Sequence, residues 1–168
     1  MICSKVLVPS GVLGLGFDIE ALKNGLNRKP DIISIDGGST DSGPYSLGSG
    51  TSKYSRSAIK SEWKILMKAR EEAKIPLLIG SSGTCGTDEM VDWMEDITIE
   101  LAEEMGQSIK ITKLYCEQDK EFIKTSFKNQ KISSLDPSPK IDTDIIQDMS
   151  HIVALAGAEQ IQECIKTG

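Results

Sequence analysis

Short apolar runs separated by helical stripes organise this chain. Residues 5–9, 31–36, 76–80, 108–116 and 151–156 each carry the length and apolar content of a strand. Ile32, Ile33 and Ile35, and then Leu77, Leu78 and Ile79, are continuous rather than alternating, the pattern of parallel strands covered on both faces. Between them the apolar positions recur at helical spacing. Ile19, Leu22 and Leu26 do so within 18–28, a segment that Pro30 closes. Ile59, Trp63, Leu66, Met67 and Arg70 mark one stripe of a helix that Ser55 or Ser57 can cap and that reaches Lys74. A longer helix runs from its cap Thr87 to Met105, where Gly106 stops it. Residues 117–128, 142–149 and 158–166 complete the helical set, with two prolines, Pro137 and Pro139, stiffening the connector before 142. Strands alternating with helices predict an α/β fold over 1–168: a single three-layer domain, its mainly parallel sheet of about five strands carrying helices on both faces.

Two polar loops follow successive strands in this scheme. Asp36-Gly37-Gly38-Ser39-Thr40-Asp41-Ser42-Gly43-Pro44-Tyr45 leaves the second, and Gly80-Ser81-Ser82-Gly83-Thr84-Cys85-Gly86-Thr87 leaves the third. Ligands of parallel α/β sheets bind outside the carboxyl ends of the strands, so the pair reads as the walls of a small-molecule site. Residues 37–55 form one long loop on this reading, a length that usually carries function. Asp36 and Asp41 can serve as acid and base, or join the hydroxyls of Ser39 and Thr40 on a hard cation. The plainer role for Asp36 is to cap backbone N–H groups of its own loop. Backbone N–H groups of the second loop, with the helix start behind it, suit a phosphate or carboxylate; a close-packed turn is the alternative. No Gly-Lys-Ser/Thr follows, so it is not a P-loop. Gly37, Gly38, Ser39, Thr40, Gly43, Tyr45, Gly80, Ser81, Ser82, Gly83 and Thr84 are therefore the ligand-binding candidates. Glu117-Gln118-Asp119-Lys120 begins where the fourth strand ends, which makes Glu117, Asp119 and Lys120 candidates for proton transfer. Acidic residues also favour a helix start for electrostatic reasons alone. Cys85 lacks a neighbouring base and reads as a small filler. His151, at the start of a strand, reads as structural, and Trp63, Trp93 and Met94 as core.

Composition narrows the partners. A net charge of −6 and a pI near 4.9 leave no basic stripe for nucleic acid. The four cysteines are scattered with no CxxC pair, which supports neither a disulfide framework nor a zinc site. A single histidine, His151, leaves little material for a Ser-His-Asp triad or a histidine-based metal site. No apolar run has the length of a membrane span, and Met1 leads directly into a strand with no leader pattern, so a cytoplasmic protein without a membrane partner is expected. The turn Ser10-Gly11-Val12-Leu13-Gly14-Leu15-Gly16 is not a strict GxGxxG, and no dinucleotide or other cofactor follows from it.

The loop 36–45 with Leu47-Gly48-Ser49-Gly50 behind it, Ile79-Gly80-Ser81-Ser82-Gly83-Thr84, Glu117-Gln118-Asp119-Lys120 and Leu135-Asp136-Pro137-Ser138-Pro139 stand in a fixed order along nearly the whole chain. Together they resemble the amino-terminal portion of the acyclic terpene utilisation (AtuA-like) proteins. The resemblance implies a role in breakdown of branched or terpenoid acids, as small carboxylates or acyl-CoA thioesters, by chemistry of the lyase, hydratase or isomerase kind. It also implies a missing continuation, because the last helix stops where such a fold enters its next strand. A carboxyl-terminal partner chain or a homo-oligomer is the corresponding expectation. The alternative is a ligand-binding or assembly module whose chemistry lies on that partner.

Overall fold

The computed structural model describes residues 3–38 and 45–167. In chain order the elements are β1 (Val6–Leu7), α1 (Ile19–Leu26), β2 (Ile32–Asp36), α2 (Tyr45–Ser49), α3 (Arg56–Ala73), β3 (Leu77–Gly80), α4 (Asp88–Met105), α5 (Lys120–Lys128), α6 (Thr143–Asp148) and α7 (Ala158–Thr167). The strands form one parallel sheet in the order β1-β2-β3. Ile33 stands opposite Leu77, and the register runs on to Asp36 opposite Gly80. Both polar loops therefore leave the same end of the sheet.

Helix boundaries follow local chemistry. Asp18, Ser55 and Thr87 sit in extended backbone and accept the N–H three residues on, opening α1, α3 and α4. Lys74 and Gly106 close α3 and α4 in the left-handed conformation, at φ 55° and 62°. Ile33 and Ile35 on one face of β2 pack with Ile59, Trp63, Leu66 and Met67 of α3 and Met94, Ile97 and Leu101 of α4. Trp63 buries its ring and donates its indole N–H to Thr98 Oγ1 at 2.9 Å. Outside the core, Lys60 joins Glu100 and Glu104, Lys64 joins Glu104, and Arg56 joins Glu100, tying α3 to α4. Glu62 of α3 receives the N–H groups of Gly14 and Gly16, both at 2.7 Å, and so fixes the turn after β1. Among the described residues no helix is long and apolar enough to cross a membrane.

Two expectations are corrected. Among the described residues the sheet has three strands, not five, because 108–116 and 151–156 do not join it. Lys113 instead reaches across to Asp92 and Glu95 of α4, and the Tyr115 hydroxyl donates to Asp92. Ile109 packs against the core, while Ile111 and Tyr115 stand exposed. Its end meets 152–154 in a single antiparallel bridge, Glu117 opposite Val153. Flanking bonds run from Gln118 N–H to Ile152 O at 2.7 Å and from Ala154 N–H to Cys116 O at 2.9 Å. The second correction concerns 37–55, which is not loop throughout: residues 45–49 form α2.

Candidate functional site

The two loops are joined backbone to backbone. Gly37 donates its N–H to Gly80 O at 2.6 Å, and Thr84 donates its N–H to Gly37 O at 3.2 Å. A Cβ on Gly38 would lie 2.1 Å from Thr84 Cα, so only glycine permits this approach. Thr84 itself is buried with φ 73°, and Ser81 stands at φ 46°. Left-handed backbone is unusual for a β-branched residue and is held only where surroundings over-determine it. Here the hold is the Gly38 contact and the Lys53 N–H, which Thr84 Oγ1 accepts at 3.0 Å. Gly83 occupies the left-handed region against Met90, and Ser82 is buried with its carbonyl accepting from Gly86.

Asp36 is exposed at this junction, and its carboxylate accepts the N–H of Gly38 at 3.0 Å. That bond is the loop-capping role for an aspartate in a turn; the second carboxyl oxygen has no protein partner among the described residues. Tyr45, the first residue of α2, is largely exposed. Ser39, Thr40, Asp41 and Gly43 lie outside the described residues.

Glu117 reaches the same end of the molecule through α4, whose first turn leaves the second loop. Its Oε2 accepts the N–H of Asp88, the first helical residue, at 3.1 Å, while Asp88 Oδ1 accepts the Glu117 N–H at 3.2 Å. A carboxylate in that position complements the positive end of the α4 dipole. Glu117 Oε1 lies 2.7 Å from His151 Nδ1. An ionised carboxylate only accepts, so Nδ1 is the donor in this bond. The Nε2 edge faces Gly50, which ends the segment after α2: a Cβ there would lie 2.5 Å from Nε2. Gly50 also has φ 64°.

The other carboxyl-end candidates have local employment. Asp119 caps α5 by accepting the Phe122 N–H at 2.8 Å. Lys120 donates to Gln147 O at 3.1 Å and so links α5 to the end of α6. Cys85 is buried, its sulfur 3.5 Å from Thr87 Oγ1. Burial, with the Asp88 carboxylate behind it, pushes the Cys116 thiol up and away from the reactive thiolate. Among the described residues no cluster of three His, Cys, Asp or Glu could hold a metal ion. Sequence reasoning read His151 as structural and gave no site role to Gly50 or Asp88. The contact joins residues 34 positions apart, and nothing local announces it. The lone histidine of the chain was the available hint.

No family model, no curated protein and no solved structure significantly matches this chain.

Proposed function

We propose that this is an enzyme domain acting on a small carboxylate or acyl-CoA-type substrate, with His151 as the acid–base group and Glu117 as its positioning residue. The observation that carries the reading is the Glu117–His151 contact, 2.7 Å at Nδ1, with the opposite ring nitrogen left toward Gly50. A base oriented by a carboxylate behind it is the recurring arrangement for proton transfer. Many lyase, hydratase and isomerase reactions on acyl groups move a proton at the carbon beside the carbonyl, a step such a group can perform. The strained Ser81 and Thr84 backbone and the exposed Asp36 lie at the sheet end from which α4 departs, and strain of this kind gathers at binding sites. The substrate class, and its placing in branched or terpenoid acid breakdown, rests on the resemblance of the four sequence blocks.

The test is solvent deuterium uptake at the carbon beside the thioester carbonyl, followed by proton NMR across a panel of short branched acyl-CoAs. The expected outcome is enzyme-dependent exchange that His151→Gln abolishes and Lys120→Ala leaves intact. Exchange undiminished in a folded His151→Gln protein, or none with any member of the panel, overturns the reading.

A second reading, a module that works with a partner chain, is favoured by the carboxyl-terminal surface. Leu155 is fully exposed, and α7 has no buried residue although Ile161, Cys164 and Ile165 share one of its faces. Sedimentation across a concentration series tests it; a monomer throughout argues against self-assembly.

A further inference from the structure

A groove of about 570 Å3 lies between the end of α5 and the segment leading into α6, and neither Glu117 nor His151 lines it. That volume is in the range that holds a small organic ligand. Phe127, Ile132 and Ile141, all half-buried, supply its apolar surface. Lys128 and Lys140 stand at its rim. Neither lysine has an ion-pair partner among the described residues, whereas Lys124, one turn before Lys128, is paired with Glu121.

Among the described residues the lining holds one carboxylate, Asp142, whose Oδ1 accepts the N–H groups of Asp144 and Ile145 at 3.0 and 2.8 Å and caps α6. The wall is fixed in advance. Ser134 Oγ accepts the Ile141 N–H at 3.2 Å across the loop, and the Lys131 N–H closes onto Ser126 O at 2.9 Å. Two lysines without ion-pair partners among the described residues thus line the same groove as three half-buried apolar side chains. Favourable desolvation of the floor and charge pairing at the rim select the same kind of molecule.

We propose that this groove binds a small amphiphilic anion, a carboxylate bearing a short apolar chain, with its head between Lys128 and Lys140 and its chain on Phe127, Ile132 and Ile141. This site is distinct from the proposed reaction centre and does not depend on it. Octanoate is the probe, titrated into the whole protein while backbone amide shifts are followed by NMR, with octanol and acetate as controls lacking the charge or the chain. The expected result is saturable octanoate binding with shifts centred on 127–143, and markedly weaker binding of both controls. Lys128→Gln with Lys140→Gln, both at exposed positions, should weaken binding roughly tenfold, and His151→Gln should leave it unchanged. Unchanged affinity in the folded double lysine variant, octanol binding as tightly as octanoate, or shifts centred on His151 would each overturn the proposal.

Discussion

The chain up to Gly106 and the chain beyond it are built on different terms. Every residue of the main buried cluster lies between Leu13 and Ala102. Beyond it, Ile146 and Ser126 are the only buried residues among those described, and Phe122, Leu135, Leu155 and Ile165 stand exposed. The first region is held by shared apolar burial, where each side chain depends on many others. The second has little such burial, Ile146 and the packing of Ile109 aside, and leans on individual polar contacts such as Lys113 on α4 and Lys120 on the end of α6. Burial scales with the area removed from water, whereas an exposed polar contact nets little, so stability should concentrate in the first region while Glu117 and His151 sit in the second.

The largest effect expected from that contrast is at Ile97, which has no exposed surface. Ile97→Ala should cost about 2–5 kcal/mol of unfolding free energy, the usual range for emptying a buried aliphatic site. Ile165→Ala, at a residue 41% exposed, should change stability by less than about 0.5 kcal/mol. Chemical denaturation of both variants measures the gap. Equal losses would mean that α7 is packed as tightly as α4.

Next in size is the loop junction. Gly38→Ala sets a methyl against Thr84 Cα, which is backbone and has little room to yield. Overpacking of this kind costs about 1–3 kcal/mol. Hydrogen exchange should localise the damage to the Gly37–Gly80 and Gly37–Thr84 bonds. A wild-type melting temperature and exchange pattern would show that the two loops are not held together as described.

The same contrast governs how far the sequence could be read. Helices α1, α3 and α4 were legible because caps at Asp18, Ser55 and Thr87 bracket strong apolar stripes, and these are local signals. The apolar runs of β2 and β3 were equally plain. Residues 108–116 misled because Ile109, Ile111, Leu114 and Tyr115 carry strand-like character, while the segment's fate was decided by Lys113 meeting two acids of α4. Pairing with a distant element is a tertiary fact that strand propensity does not contain. For the candidate site, the two glycine loops and Glu117 could be named from their positions after strands. The partnership of Glu117 with His151 could not, since it depends on an antiparallel contact that the parallel scheme did not include.

Glu117 is where the two regions meet, and removing its carboxylate should separate them. Glu117→Ala leaves the Asp88 N–H and His151 Nδ1 without their acceptor. Two hydrogen bonds are lost at a partly buried site, so the loss should be about 1–2 kcal/mol. The His151 ring should also lose its fixed orientation, seen as averaging of its side-chain NMR signals. A single ordered ring in Glu117→Ala would assign its position to the Gly50 packing instead.

The smallest effect expected is electrostatic and belongs to the first region's surface. Hydrogen bonds from Lys60 and then Lys64, with the charges of both lysines, draw the Glu104 carboxyl from 4.5 down to about 2. A group whose folded value is depressed contributes stability that is fully present above its unfolded value and lost as the pH falls through the folded one. Glu104→Gln removes that contribution at neutral pH and leaves nothing to lose on acidification. The melting temperatures of wild type and Glu104→Gln should therefore differ most above about pH 4.5 and converge as the pH approaches about 2. The group is well exposed, so added salt should shrink the difference at every pH. A gap that persists unchanged to low pH would show that the side chain stabilises the α3–α4 contact by packing along its stem, and that the ion ladder over the core contributes little of its own.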